Sequence, residues 1–215
     1  MYIKIDLKIL IAFVWFYVTK QVENYILLMI FVILHECIHM LVGIVLKIKP
    51  MYIEIKPIGC NIAFQYSIDD YNKKILNGSI VDLKKIAVYV AGPAFNLIIA
   101  FLCFIFKQKC EIISLLMYIN LMIGTFNLIC IYPLDGGRIL KSLLQIFLGE
   151  RKSYTIIHKI SNICFVTFIV VCSFLILIIH NWGIILSVIY LWFIKISADK
   201  KIKIRIKTID LIKKK

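Results

Sequence analysis

Two histidines four residues apart, with a glutamate beside the first, are the residues best able to do chemistry: His35-Glu36-Cys37-Ile38-His39. On an α-helix, positions i and i+4 share one face, so both imidazoles can reach the same ion. The glutamate next to the first histidine can then act as general base in a metal-assisted hydrolysis. Zinc in a hydrolytic site takes three protein ligands and keeps a fourth position open for water. The run from Asn127 to Arg138 offers the third ligand, Asp135. There Pro133 and the Gly136-Gly137 pair are expected to break the helix and let the backbone turn toward the metal. Asp-Gly by itself is an ordinary turn pair, so Asp135 gains its meaning from the histidine motif.

The surroundings of the motif sharpen it. The chain has 215 residues, of which 62% are hydrophobic, and a mean hydropathy of +0.93. A soluble domain is nearer half apolar, so the composition points to an all-α polytopic membrane protein. Six apolar segments stand out, at 9–19, 25–46, 86–106, 112–131, 160–179 and 182–194. The middle four approach the ~20 residues a spanning helix needs, while the first and last are short. Trp15, Trp182 and Trp192 fall near segment ends, where interfacial aromatics belong. The N-terminus runs into the first segment with no small-residue cleavage site, so no cleaved leader is expected. His35, Glu36 and His39 lie inside the second segment. A charged carboxylate at mid-bilayer costs about 3 kcal/mol or more, which marks such residues as functional.

Charge tests the partition. With six spans and both termini cytoplasmic, 23 of the 26 Lys and Arg face the cytoplasm, and only Lys20, Lys107 and Lys109 face the other side. That bias is the positive-inside pattern. It also accounts for the net charge of +14 by lipid headgroups. No aromatic-basic motif accompanies the charge, so no nucleic-acid partner is expected. The seven cysteines are odd in number and show no CxxC pair, which argues against a disulfide framework or a zinc-thiolate site. Between the second and third segments, 51–55 and 62–66 read as two short β-prone runs around Lys56-Pro57-Ile58-Gly59-Cys60-Asn61. A membrane-associated β-hairpin is therefore expected after the second span, followed by an exposed polar loop over 69–82.

His35–His39 together with Asn127, Pro133, Asp135 and Gly136 resemble the paired motifs of the site-2 protease family of intramembrane metalloproteases. Ala91-Gly92-Pro93-Ala94-Phe95-Asn96 resembles the small-residue motif of its intervening helix, and the likeness covers about 25–150. Pro57-Ile58-Gly59 and the run Tyr132–Arg138 look most like the sporulation branch of that family, which cleaves a membrane-associated sigma-K precursor. The resemblance implies one Zn²⁺ per chain held by His35, His39 and Asp135, with Glu36 catalytic. It assigns substrate contact to Asn127, Pro133 and Phe64, with the 51–66 hairpin offering an edge to an unwound substrate. It further implies a membrane-anchored protein substrate, membrane inhibitor proteins, a homo-oligomer as an option, and a multi-pass location in the cell membrane, in a spore-former that of the mother cell around the forespore. The membrane domain is placed at 1–199 and a basic cytoplasmic tail at 200–215. The CBS domain linked to ATP that is common in the sporulation branch is not expected.

Other readings compete. Intramembrane His and Glu also line ion paths in transporters, although the paired repeats with broken helices of such proteins are not found. A polar cluster that only packs helices, or a proteolytically dead scaffold, would fit less of the motif set. His158 and His180 lie at segment ends and are read as interfacial. Gly43 and Gly92 are read as sites of close helix approach.

Overall fold

Along the helices many large apolar side chains face outward, while several polar ones, among them His35, His39, Asn96 and Asn120, are buried. In the computed structural model, which describes residues 2–5, 7–56, 59–106, 111–179 and 183–214, the order is β1 (Tyr2–Ile5), α1 (Lys8–Val18), α2 (Val22–Val45), β2 (Lys49–Lys56), β3 (Gly59–Gln65), α3 (Ile68–Asn72), β4 (Lys74–Ile75), β5 (Gly78–Ser79), α4 (Ile80–Phe106), α5 (Glu111–Leu128), α6 (Asp135–Leu148), α7 (Glu150–Ile179) and α8 (Gly183–Lys214). Pro57, Ile58, Lys107, Lys109, Cys110, His180 and Trp182, used in the sequence reading, lie outside the described residues. Among the described residues, four helices are long and apolar enough to cross a membrane: Val22–Val45, Ile80–Phe106, Glu111–Leu128 and Glu150–Ile176.

The chain divides into two compact units. The first comprises Met1–Asp70 and Ala87–Leu128. Its α1 and α2 end in the same local way. Lys20 (φ 56°) and Lys47 (φ 59°) take left-handed backbone just past the last helical turn, a common helix stop. Along α2 the buried residues are Tyr25, His35, His39 and Gly43, whereas Ile26, Ile30, Ile33, Leu34, Leu41 and Ile44 are exposed. The expected hairpin is present as β2 and β3, and it gains a strand that the sequence reading lacked. β1 pairs in parallel with β2, Tyr2 opposite Tyr52 through Ile5 opposite Ile55. The sheet order β1-β2-β3 leaves β3 at an edge. The ladder shifts register between Pro50 and Tyr52, where proline cannot donate.

The second unit comprises Tyr71–Ile86 and Ile129–Lys215. The expected open loop over 69–82 is largely structured, as α3, the β4-β5 pair and the start of α4. Asp82, 1% exposed, accepts from the Ser79 backbone N–H (3.0 Å) and hydroxyl (3.2 Å), tying down the first turn of α4. Helix α6 is also new: the apolar-run reading placed no helix there. α7 begins ten residues before the expected segment, and α8 continues through the basic tail to Lys214. The tail helix is tied to α7 by Arg205–Glu150 (2.9 Å) and Arg151–Asp210 (2.6 Å).

Candidate metal centre

Both motif histidines sit on the buried face of α2, His35 2% and His39 4% exposed. The helix spacing turns their rings to one spot, and second partners fix which nitrogen each presents. His39 Nδ1 lies 2.6 Å from the Val88 carbonyl oxygen in α4. A carbonyl only accepts, so Nδ1 carries the proton and Nε2 keeps its lone pair. His35 Nδ1 lies 2.6 Å from Asn96 Oδ1, while Asn96 Nδ2 donates to Asn120 Oδ1 at 2.9 Å. His35 is therefore also protonated on Nδ1. The two Nε2 atoms lie 3.1 Å apart. Two lone pairs at that distance do not hydrogen-bond each other. They are spaced as ligands of one ion, since tetrahedral Zn–N bonds of ~2.0–2.1 Å place two nitrogens about 3.3 Å apart. The donor chemistry thus fits zinc, and the hydrogen-bonded Nδ1 atoms are the outer partners that metal-bound histidines use.

Gly92 makes room for this face. A Cβ there would stand 2.5 Å from His39 Nε2 and 2.7 Å from His35 Cε1. Gly92 thus allows the close helix approach expected of it. Gly43 serves a different contact, with a strand: its Cβ would meet Phe64 Cε1 at 2.5 Å. Phe64, read as a substrate contact, therefore has its ring against α2, one helical turn beyond His39. Glu36 is half-buried on the same helix. Asn127, near the end of α5, gives one amide hydrogen to the Ile123 carbonyl (3.1 Å). Its amide thus keeps another hydrogen and an acceptor oxygen.

In the second unit, the chain between α5 and α6 turns sharply at 129–134, with Pro133 half-buried. Ser161 Oγ accepts from the Tyr132 backbone N–H (3.0 Å), fixing the turn to α7. Asp135, 7% exposed, opens α6. The glycines after it do not break a helix as expected; they form the first turn of a new one. Gly137 is needed there because its Cβ would strike the Ile131 carbonyl carbon and Tyr132 nitrogen, both at 2.6 Å. Further along α6, Lys141 lies under the Tyr154 ring (4.5 Å), and burial, then the charge of Lys85, pulls its pKa down to about 8. His158 has no metal-type neighbourhood; it hydrogen-bonds Asp199 at 3.0 Å. Sequence reasoning missed Asn120 altogether and gave Asn96 no role. Their signal was an amide inside an apolar span, which has no spacing to read.

These features suggest a class: a multi-pass helical membrane protein with a buried pair of histidines whose donor atoms could hold a metal. Comparison with known proteins narrows it. Residues 107–172 match the model of Peptidase family M50. The zinc metalloprotease MJ0392 of Methanocaldococcus jannaschii is 32% identical over 145 residues, which is 64% of this chain and 39% of that protein. The chain thus spans well under half the length of that relative. The solved structure of a site-2 protease from Methanocaldococcus jannaschii shares the fold, with a TM-score of 0.67 at 24% identity over 92% of this chain and 90% of that one. The family model and the relative point toward the M50, or site-2 protease, family and toward zinc as the metal, while the solved structure, at 24% identity, shows the fold alone.

Proposed function

We propose that the chain is a zinc-dependent endopeptidase that cuts a membrane-associated protein near the cytoplasmic face of the bilayer. The observation that carries this reading is the pair of His Nε2 lone pairs 3.1 Å apart within an apolar helix. His35, His39 and Asp135 are the proposed ligands; each is buried and each offers one donor atom. When bound, zinc supplies Lewis-acid polarisation of the scissile carbonyl and lowers the pKa of water. Glu36, beside His35 on α2, takes the proton from the attacking water and returns it to the leaving amine. Asn127 donates its second amide hydrogen to the substrate backbone or the developing oxyanion, and Pro133 shapes the approach beside Asp135. A substrate helix must open before it is cut, because its peptide groups are satisfied internally. The edge strand β3, seated on α2 through Phe64 and Gly43, can pair with the opened segment.

The finer reading is a protein like stage IV sporulation protein FB, with a sigma-K precursor as substrate, supported by the resemblance of Pro57-Ile58-Gly59 and Tyr132–Arg138. Six spans with both termini cytoplasmic are supported by the charge distribution. Co-expression with a sigma-K precursor tests the whole: a shortened product is expected with the native chain and none with Glu36→Gln. Glu36→Gln is expected to keep its zinc, and His35→Ala to lose it. Processing that survives Glu36→Gln would end the protease reading. Zinc retained by His35→Ala would end the ligand assignment.

A further inference from the structure

We propose that Asn120 is a positioning residue for the metal centre: acting through Asn96, it sets which nitrogen of His35 faces the ion. The inference rests on the metal-site reading above. Asn120 in α5 and Asn96 in α4 are each 0% exposed, within two helices apolar enough to cross a membrane. Burying an amide in apolar surroundings is unfavourable by several kcal/mol unless its hydrogen bonds are made, so two such residues in contact call for a reason.

The reason is the direction of their hydrogen bonds. Asn120 Nδ2 donates to the Leu116 carbonyl oxygen at 2.9 Å. That carbonyl can only accept, so the Asn120 amide cannot flip without opposing two oxygens. Its Oδ1 must then face α4, where it accepts from Asn96 Nδ2 at 2.9 Å. Asn96 is fixed in turn, and its Oδ1 must face His35 Nδ1, at 2.6 Å. His35 is left with one tautomer, protonated on Nδ1 and presenting the Nε2 lone pair. His39 reaches the same state in one step from the Val88 carbonyl. For His35 the two asparagines do this, carrying the polarity of the Leu116 carbonyl across α5 and α4 to α2. With Asn120 replaced by an apolar residue, Asn96 is free to turn its N–H₂ toward His35. That stabilises the tautomer protonated on Nε2, which cannot bind metal.

The test is zinc affinity of the full chain in detergent, measured by competition with a chelator. Asn120→Leu is expected to weaken zinc binding by about tenfold or more, the usual range for losing an outer partner of a ligand. Asn120→Asp is expected to stay within about threefold of the native chain. An oxygen of the new carboxyl still accepts from Asn96 Nδ2, which keeps that amide in its native orientation. Native affinity in Asn120→Leu, or equal losses in Asn120→Asp and Asn120→Leu, would overturn the relay. If Asn120→Leu does not fold, Asn120→Ser, too short to reach Asn96, takes its place against Asn120→Asp with the same expectations. Zinc affinity that is unchanged by His35→Ala alone is a separate result and removes the metal-site reading instead.

Discussion

At the scale of single residues, the face shared by His35 and His39 is defined as much by a missing side chain as by the two rings. The two histidine rings cannot swing away from an intruding atom, because each Nδ1 is anchored at 2.6 Å. Gly92→Ala would put a methyl 2.5 Å from His39 Nε2, so one anchor must break. Metal analysis of the purified variant is expected to show zinc affinity reduced by about tenfold or more, with helix content by circular dichroism unchanged. Gly124 is the control. Its Cβ would meet the Leu97 side chain at 3.1 Å and the Pro93 carbonyl at 3.3 Å, a tight contact with a side chain that can shift. Gly124→Ala is expected to lower thermal stability modestly and keep full zinc. The shared face of His35 and His39 was legible because helix periodicity turns a sequence spacing into one side of a helix. The relay was not, because Asn96 and Asn120 are 24 residues apart on different helices and meet only after these have packed.

At the scale of elements, the sheet and the histidine helix act as one piece. Phe64 of β3 seats against Gly43 of α2, in register with Pro50 of β2. Gly43→Ala forces the ring off the helix and lifts the edge strand with it. Substrate cleavage is expected to fall several-fold while zinc stays bound. Adding Phe64→Ala to Gly43→Ala restores the space, so the double variant should cut better than Gly43→Ala alone; equal activity of the two would show that this contact does not place the strand. The three central helices of the first unit were readable from apolar runs, and the β2-β3 hairpin from its turn residues. β1 was not, since its parallel partner lies fifty residues along the chain at Tyr52 and no local pattern announces such a pairing. Helix α6 escaped because it is amphipathic, with Ser142 and Ile146 inward and Phe147 exposed. The helices α4, α7 and α8 outran their predicted bounds for a related reason: hydropathy drops at the first charges, whereas backbone hydrogen bonding continues through them.

At the scale of the whole molecule, the β1-β2 pairing bears on the question that length alone left open, whether the short first helix crosses. β1 precedes α1, and β2 follows α2, yet Tyr2–Ile5 is hydrogen-bonded beside Tyr52–Ile55. Both ends of the α1-α2 pair are therefore on one side. α2, with 24 residues, covers about 36 Å and is long enough to cross. The six-span proposal then needs α1 to cross in the opposite direction, although its 11 residues cover only about 16 Å. That leaves a shortfall against the ~30 Å of the hydrocarbon core, which a short span meets by local thinning of the bilayer or by snorkelling of flanking residues. Lys20, between the two helices, then stands on the opposite side from the lysines of β2, as the charge bias requires. A small reporter that works only in the cytoplasm is expected to be silent when inserted after Lys20 and active when inserted after Asn72. Activity at both positions would place α1 and the start of α2 on the cytoplasmic side, and the first of the six proposed spans would have to be withdrawn.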